Sequence, residues 1–255
     1  MKKVKISLCF LILIGLSSCN DYLSETPDNR TQIDSPKKIT ELLVGAYPNA
    51  SYTEFTETMS DNVFDSKDFN AVTTNNTQNY NWEILGDIDS DTPSFYWDAC
   101  YKAISQANQA LDAIKKLGDT PDLNPQKGEA LLARAYSHLM LVTLWSKTYN
   151  PSTAATDIGI PYVLEPETGL KVNYKRNTVA EVYNYIESDI TEGLKYVSND
   201  YKQPKFHFNK EAANALAARF YTLKGDWNKV LVYTNDLGSK PPLGAIRDYA
   251  SYSSL

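Results

Sequence analysis

A seven-residue pattern occurs twice in this chain, at residues 130–136 and 215–221, and the two copies are identical at five positions. Both copies are rich in alanine, whose small side chain lets paired helices approach closely. A Tyr-x-x-Ile spacing precedes each copy at a similar distance, at residues 101–104 and 183–186. A repeated helix pair cannot bury its apolar face alone, so the repeat predicts helix pairs stacked on one another.

Apolar residues at spacings of three and four predict several helices along the chain. We expect them near residues 36–46, 93–117, 125–147, 179–197, 209–224 and 227–234. The turn at 223–229 resembles the inter-helix turn of tetratricopeptide repeats. The predicted fold class is therefore all-α, a tetratricopeptide-like superhelix. Residues 50–91 lack a helical period and are predicted to form a long irregular loop rich in asparagine and aromatic residues.

The amino terminus has the features of an export signal. Three lysines lie within the first five residues, and the apolar run that follows at 6–16 is shorter than a membrane-spanning helix requires. The segment Leu16-Ser17-Ser18-Cys19 resembles a bacterial lipobox, which implies cleavage after residue 18 and diacylation of Cys19. The alternative is an ordinary secretory signal peptide. We expect residues 1–18 to be the signal peptide, 19–33 a tether, and the lipid the only attachment to the membrane.

Charge and motif content exclude several classes of function. The chain carries 25 basic and 31 acidic side chains, with no basic cluster longer than two, which argues against nucleic acid as a partner. The only two histidines, His138 and His207, lack a cysteine or acidic partner at ligand spacing, so we expect no metal site. A partial calcium-loop spacing at 87–98 lacks the required glycine and is better explained as an acidic turn before a helix. No catalytic motif is found, and neither enzymatic activity nor a cofactor is expected.

Several residues on the predicted helices are assigned structural roles. Cys100 is expected to be a buried, unreactive thiol, and Trp97 and Tyr101 are expected to belong to the core. Arg134 and Arg219 recur at the same repeat position. Each is predicted to extend along its helix face or to pair with an acid across the repeat interface.

Six segments occur in an order that is typical of a known family. They lie at residues 19–27, 97–108, 128–136, 159–163, 176–183 and 212–219. Together they resemble the amino-terminal part of the RagB/SusD family of outer-membrane glycan-binding lipoproteins. The resemblance implies a non-catalytic, surface-facing lipoprotein that captures oligosaccharides and delivers them to a SusC-like TonB-dependent transporter. Because family members are usually about twice as long, we expect residues 34–238 to form the helical domain and 239–255 to be loop at the start of an absent second half.

Sugar binding requires flat aromatic faces with amide groups nearby, and the irregular stretch contains both. Tyr80 and Trp82, together with Asn79 and Asn81, are the candidate glycan-binding residues. The alternative is that these rings pin the loop to the helices, as would suit a lipid-anchored helical-repeat scaffold that binds proteins and no sugar. Exposure of Tyr80 or Trp82 discriminates between the two. Three other rings of the stretch are predicted to pack in the core: Phe55, Phe64 and Phe69.

Overall fold

The computed structural model describes residues 33–65, 74–83, 90, 92–167 and 172–235. Across these ranges the regular elements are helices, and the only β pairing is an isolated bridge between Ile158 and Thr178. Asp34 onward forms one compact unit. Within the same ranges, no helix has the length and apolar character needed to cross a bilayer.

The predicted helices are present, with two additional short ones. The α-helices are α1 Pro36–Leu43, α2 Thr53–Thr58, α3 Thr74–Tyr80, α4 Pro93–Lys116, α5 Asn124–Trp145, α6 Val179–Tyr196, α7 Lys210–Lys224 and α8 Trp227–Asn235. Single 3-10 turns lie at Pro121–Leu123 and Pro204–Phe206. The all-α prediction is confirmed.

Helices α4 to α8 pack in chain order, each against the next, and α1 packs against α4 and α5. The two copies of the repeated pattern lie on α5 and α7, the second helices of the pairs α4–α5 and α6–α7. Helix α5 contacts neighbours on several sides, and most of its residues from Gly128 to Val142 are buried. A helix surrounded in this way is apolar on most of its surface, as α5 is.

Local sequence signals fix where these helices begin and end. The Thr92 hydroxyl accepts a hydrogen bond from the Phe95 N–H at the start of α4. Thr178 and Glu181 form the predicted capping box at the start of α6, with both reciprocal bonds present. Helix α7 ends at Gly225, whose φ of 79° is the left-handed conformation that glycine adopts readily.

Helices α5 and α6 approach so closely that only glycine fits at the crossing. A Cβ added at Gly128 would lie 2.4 Å from the backbone nitrogen of Val197 and 2.8 Å from the carbonyl carbon of Tyr196. Gly193 faces the same crossing, and its added Cβ would lie 2.8 Å from Cγ of Leu132. The α5–α6 contact is therefore made by backbone against backbone.

The stretch predicted to be irregular, residues 50–91, contains α2 and α3. Phe55 on α2 is buried as predicted, whereas Phe64 is 80% exposed, so its assignment to the core is wrong. Phe55 lies on the face of α2 that contacts Tyr96 of α4, but Phe64 lies in the irregular segment beyond the helix. Phe69 lies outside the described residues.

Candidate functional site

The candidate glycan-binding residues lie where α3 ends. The Trp82 N–H donates to the Asn79 carbonyl at 3.0 Å, and the Glu83 N–H donates to the Gln78 carbonyl at 2.9 Å. These two bonds are those of a Schellman motif, in which the residue at the position of Trp82 adopts a left-handed backbone. Glycine is the usual residue at this position, but here the residue is Trp82, whose φ is 56°. A non-glycine residue in this region stores strain of about 1 kcal/mol, and such strain concentrates at functional sites.

The four candidates are not equally accessible. Trp82 is 71% exposed, Tyr80 is 42% exposed, and Asn81 is exposed as well. Asn79 is buried, and among the described residues its Nδ2 has no hydrogen-bond partner. The surface that a ligand could reach at this corner is thus formed by Tyr80, Asn81 and Trp82, with Asn79 beneath it.

Aromatic contacts connect this corner to the helical repeat. Helix α3 packs against α2. The Tyr52 and Phe55 rings on and next to α2 lie 5.5 Å and 6.1 Å from the Tyr96 ring of α4, measured between centroids. Tyr96 is buried, so it anchors α2 while the rings at the end of α3 face solvent. The arrangement offers an indole face for stacking on a sugar ring, with the Asn81 amide beside it in sequence.

Arg134 is part of a buried polar network that links three helices. Its Nε and Nη2 donate to Asp189 Oδ2 and Oδ1 on α6 at 2.7 and 2.8 Å, and its Nη1 donates to Asn108 Oδ1 on α4 at 2.9 Å. The Tyr162 hydroxyl donates to Asp189 Oδ2 at 2.6 Å. The predicted pairing of Arg134 with an acid across the repeat interface is confirmed, whereas Arg219 at the equivalent position is exposed.

His138 has a structural role, with both ring nitrogens occupied. Its Nδ1–H donates to the Arg134 carbonyl at 2.9 Å, and Nε2 accepts the Val163 N–H at 3.1 Å. Complete burial lowers the pKa of His138 to about 3, so the ring is neutral at physiological pH. The neutral ring also stacks on Tyr162 at 3.7 Å between centroids.

A second buried network joins residues that sequence spacing could not connect. Glu129 accepts hydrogen bonds from the Tyr47 hydroxyl at 2.7 Å and lies 2.8 Å from Nδ1 of His207. Burial raises the pKa of Glu129, although both partners oppose that rise. His207 follows Glu129 by 78 residues, so no local signal could have paired them. The network holds the segment before α7 against α5.

The remaining assignments have mixed outcomes. Cys100 is buried and free, and burial raises the pKa of its thiol to about 12, as expected for an unreactive cysteine. Trp97 and Tyr101 were predicted to be core residues, but both are only half-buried, because Tyr96 and Cys100 occupy the inward face of α4 instead. Cys19 and residues 87–89 and 91 of the partial calcium loop at 87–98 lie outside the described residues.

Comparisons with known proteins agree with this architecture. A family model, SusD-like, described as starch-binding and associating with the outer membrane, matches residues 21–222. A search of curated proteins gives no match.

Solved structures share the fold at low sequence identity. A SusD superfamily protein from Bacteroides thetaiotaomicron has a TM-score of 0.65 and 22% identity over 86% of this chain and 49% of its own. A putative sugar binding protein from Bacteroides vulgatus has a TM-score of 0.63 and 24% identity over 82% of this chain and 47% of its own. A laminarin binding SusD-like protein has a TM-score of 0.59 and 18% identity over 80% of this chain and 44% of its own.

The chain spans about half the length of these structures. The match at these identities establishes the fold, and the family model covers most of the sequence. This chain belongs to the SusD-like family.

Proposed function

We propose that this protein is a surface-exposed outer-membrane lipoprotein that binds glycans and delivers them to a SusC-like TonB-dependent transporter, without catalysing a reaction. The family description, starch-binding and associating with the outer membrane, supports this proposal. The printed names of two structural neighbours, one sugar binding and one laminarin binding, support the ligand class. Lipidation of Cys19 would supply the membrane attachment.

The observation that carries the proposal is the exposed Trp82 ring on a left-handed backbone. An apolar ring this accessible contributes nothing to the core, and although the left-handed backbone at Trp82 completes the Schellman motif that ends α3, glycine would do the same without strain. Both features are accounted for if the indole is held ready to stack on a sugar. The exposure of Tyr80 and Trp82 also favours glycan binding over the protein scaffold, which would bury the two rings.

Replacement of Trp82 by Ala should weaken retention in starch or laminarin gels by about tenfold or more, because burying one large aromatic face contributes about 1.5–3 kcal/mol. The matched control is Trp227→Ala, since Trp227 on α8 is 64% exposed. Trp82→Gly should lose binding equally while keeping or raising the free energy of unfolding, because glycine relieves the strain at φ 56°. Equal retention of the two alanine variants would contradict the proposal, as would a loss of several kcal/mol of stability in Trp82→Gly.

Anchoring is tested separately. Cys19→Ala should move the protein from the membrane fraction to the soluble fraction, because two or more acyl chains are needed for stable attachment. Fractionation of cells with an antibody to the chain measures this. Membrane association that persists in the variant would overturn lipid anchoring while leaving glycan binding unaffected.

A further inference from the structure

A cavity of about 250 Å³ lies between α4 and the segment that follows α5, and none of its lining residues belongs to α3 or to the corner at Trp82. Its walls are mainly apolar and aromatic, and its lining includes Trp97, Tyr101 and Tyr174. Two carboxylate residues, Glu165 and Glu167, complete the lining. With water occupying about 30 Å³ per molecule, the cavity has room for a ligand of roughly ten non-hydrogen atoms.

The aromatic walls are held in place by their own contacts. The Trp97 and Tyr101 rings lie 5.0 Å apart between centroids, at an angle of 53°. The Trp97 ring also makes a T-shaped contact with Trp145 of α5, with 5.1 Å between the ring centroids. The Tyr101 hydroxyl donates to the Pro161 carbonyl at 2.9 Å, which joins α4 to the opposite wall. The cavity is therefore largely preformed, which reduces the entropy lost on binding.

Glu165 and Glu167 lie beside these rings and are exposed to solvent. The Tyr174 hydroxyl donates to Glu167 Oε1 at 2.9 Å, and the backbone carbonyl of Glu165 accepts a bond from Asn108 Nδ2 at 3.4 Å. Neither carboxylate forms a salt bridge within the described parts of the chain, and no lysine or arginine among them lines the cavity. Arg176 lies near the cavity, and its positive charge acts to lower the pKa of Tyr101. Its guanidinium donates hydrogen bonds to the carbonyls of Gly159 and Trp145.

We propose that this cavity binds an organic cation, an ammonium group carried on a compact apolar or sugar-ring body. The faces of tryptophan and tyrosine attract a cation through their quadrupoles, and this attraction grows when the cation is partly desolvated. Two carboxylates beside the rings add Coulomb attraction and disfavour anions. The apolar walls accommodate the carbon atoms that carry the charge. Because the cavity shares no residue with the corner at Trp82, this proposal does not depend on glycan binding there.

The test follows the indole N–H signal of Trp97 by NMR during titrations of the intact protein, with Trp97→Phe used to assign that signal. The cationic probes are choline and D-glucosamine, which distinguish an ammonium on an alkyl body from one on a sugar. The neutral probes are N-acetyl-D-glucosamine and D-glucose. We expect a saturable shift with one or both cations, with a Kd on the order of 1 mM for ligands of this size, and at least tenfold weaker binding of the neutral sugars.

Glu165→Gln and Glu167→Gln should each weaken cation binding by about threefold to tenfold, and added salt should weaken it further. The matched control is Glu54→Gln, which removes one exposed carboxylate of α2 and should leave the titration unchanged. Trp82→Ala should also leave it unchanged. Equal binding of glucosamine and its neutral analogues, no response of Trp97 to any probe, or no effect of both glutamine variants would overturn the proposal, and none of these results bears on binding at Trp82.

Discussion

Replacement of Arg134 by Leu should lower the free energy of unfolding by about 3–5 kcal/mol. The arginine and its partner Asp189 are both nearly inaccessible, with 7% and 8% of their side chains exposed. Removing the guanidinium leaves the Asp189 carboxylate buried without its counter-charge and leaves the Asn108 side-chain oxygen without its donor. Because total stability is commonly only 5–15 kcal/mol, this one change should remove a large part of it. Urea denaturation followed by circular dichroism measures the loss.

Arg219→Leu is the matched control for this prediction. Arg219 occupies the same position of the repeated pattern but is exposed, so its replacement should change stability by no more than about 0.5 kcal/mol. A double variant, Arg134→Leu with Asp189→Leu, should recover part of the loss, because replacing both members of a buried ion pair removes the unpaired charge. Similar losses for Arg134→Leu and Arg219→Leu would show that the buried network does not stabilise the fold as argued.

Replacement of Gly128 by Ala should destabilise the protein by about 1–3 kcal/mol, although alanine favours helix over glycine by about 1 kcal/mol. The added methyl group would meet backbone atoms of Val197 and Tyr196 at less than 3 Å. Backbone cannot move aside as a side chain can, so the α5–α6 contact must open. Thermal unfolding should give a melting temperature lower by several degrees.

Alanine variants of two other glycines serve as controls for the loss of stability in Gly128→Ala. Gly193→Ala meets Cγ of Leu132 at 2.8 Å and the Gly128 carbonyl oxygen at 3.1 Å; because its shortest contact is with a side chain rather than with backbone, its cost should be smaller than that of Gly128→Ala. Gly45→Ala meets its nearest atom, the Leu42 carbonyl oxygen, at 3.4 Å, an ordinary contact, and should be close to neutral. If Gly128→Ala proved as stable as Gly45→Ala, the close approach of α5 and α6 would not be a constraint on the fold.

The candidate site was predictable from sequence only in part. The flanking asparagines marked Tyr80 and Trp82 as candidates but left open whether the two rings are exposed or packed on the helices, and the structure shows them exposed. The same reasoning could not separate Asn79, which is buried, from Asn81, which is exposed. That difference depends on a short helix, α3, which contains Asn79 and ends before Asn81, so the two side chains point in different directions. No periodic signal announces a helix of seven residues.

The burial of aromatic residues was also predictable only in part. Phe55 and Phe64 are both phenylalanines in one aromatic-rich stretch, yet one is buried against Tyr96 and the other is 80% exposed. Trp97 and Tyr101 share the spacing of core residues on α4 but line a cavity instead. In each case the residue type was compatible with burial, and the position of a distant element decided the outcome.

The long helices, their capping signals and the stacking of helix pairs were readable from the chain alone, because periodicity, capping and a repeated pattern act over a few residues or one helix pair. The short helices α2 and α3 were not. The sequence did not show which side chains are buried or which of them pair with each other. Arg134 and Arg219 occupy the same position of the repeated pattern but are opposite in burial, and Glu129 meets His207 across 78 residues. Burial and pairing depend on which helix packs alongside, and the free energy of a charge changes far more with that environment than with its neighbours in sequence.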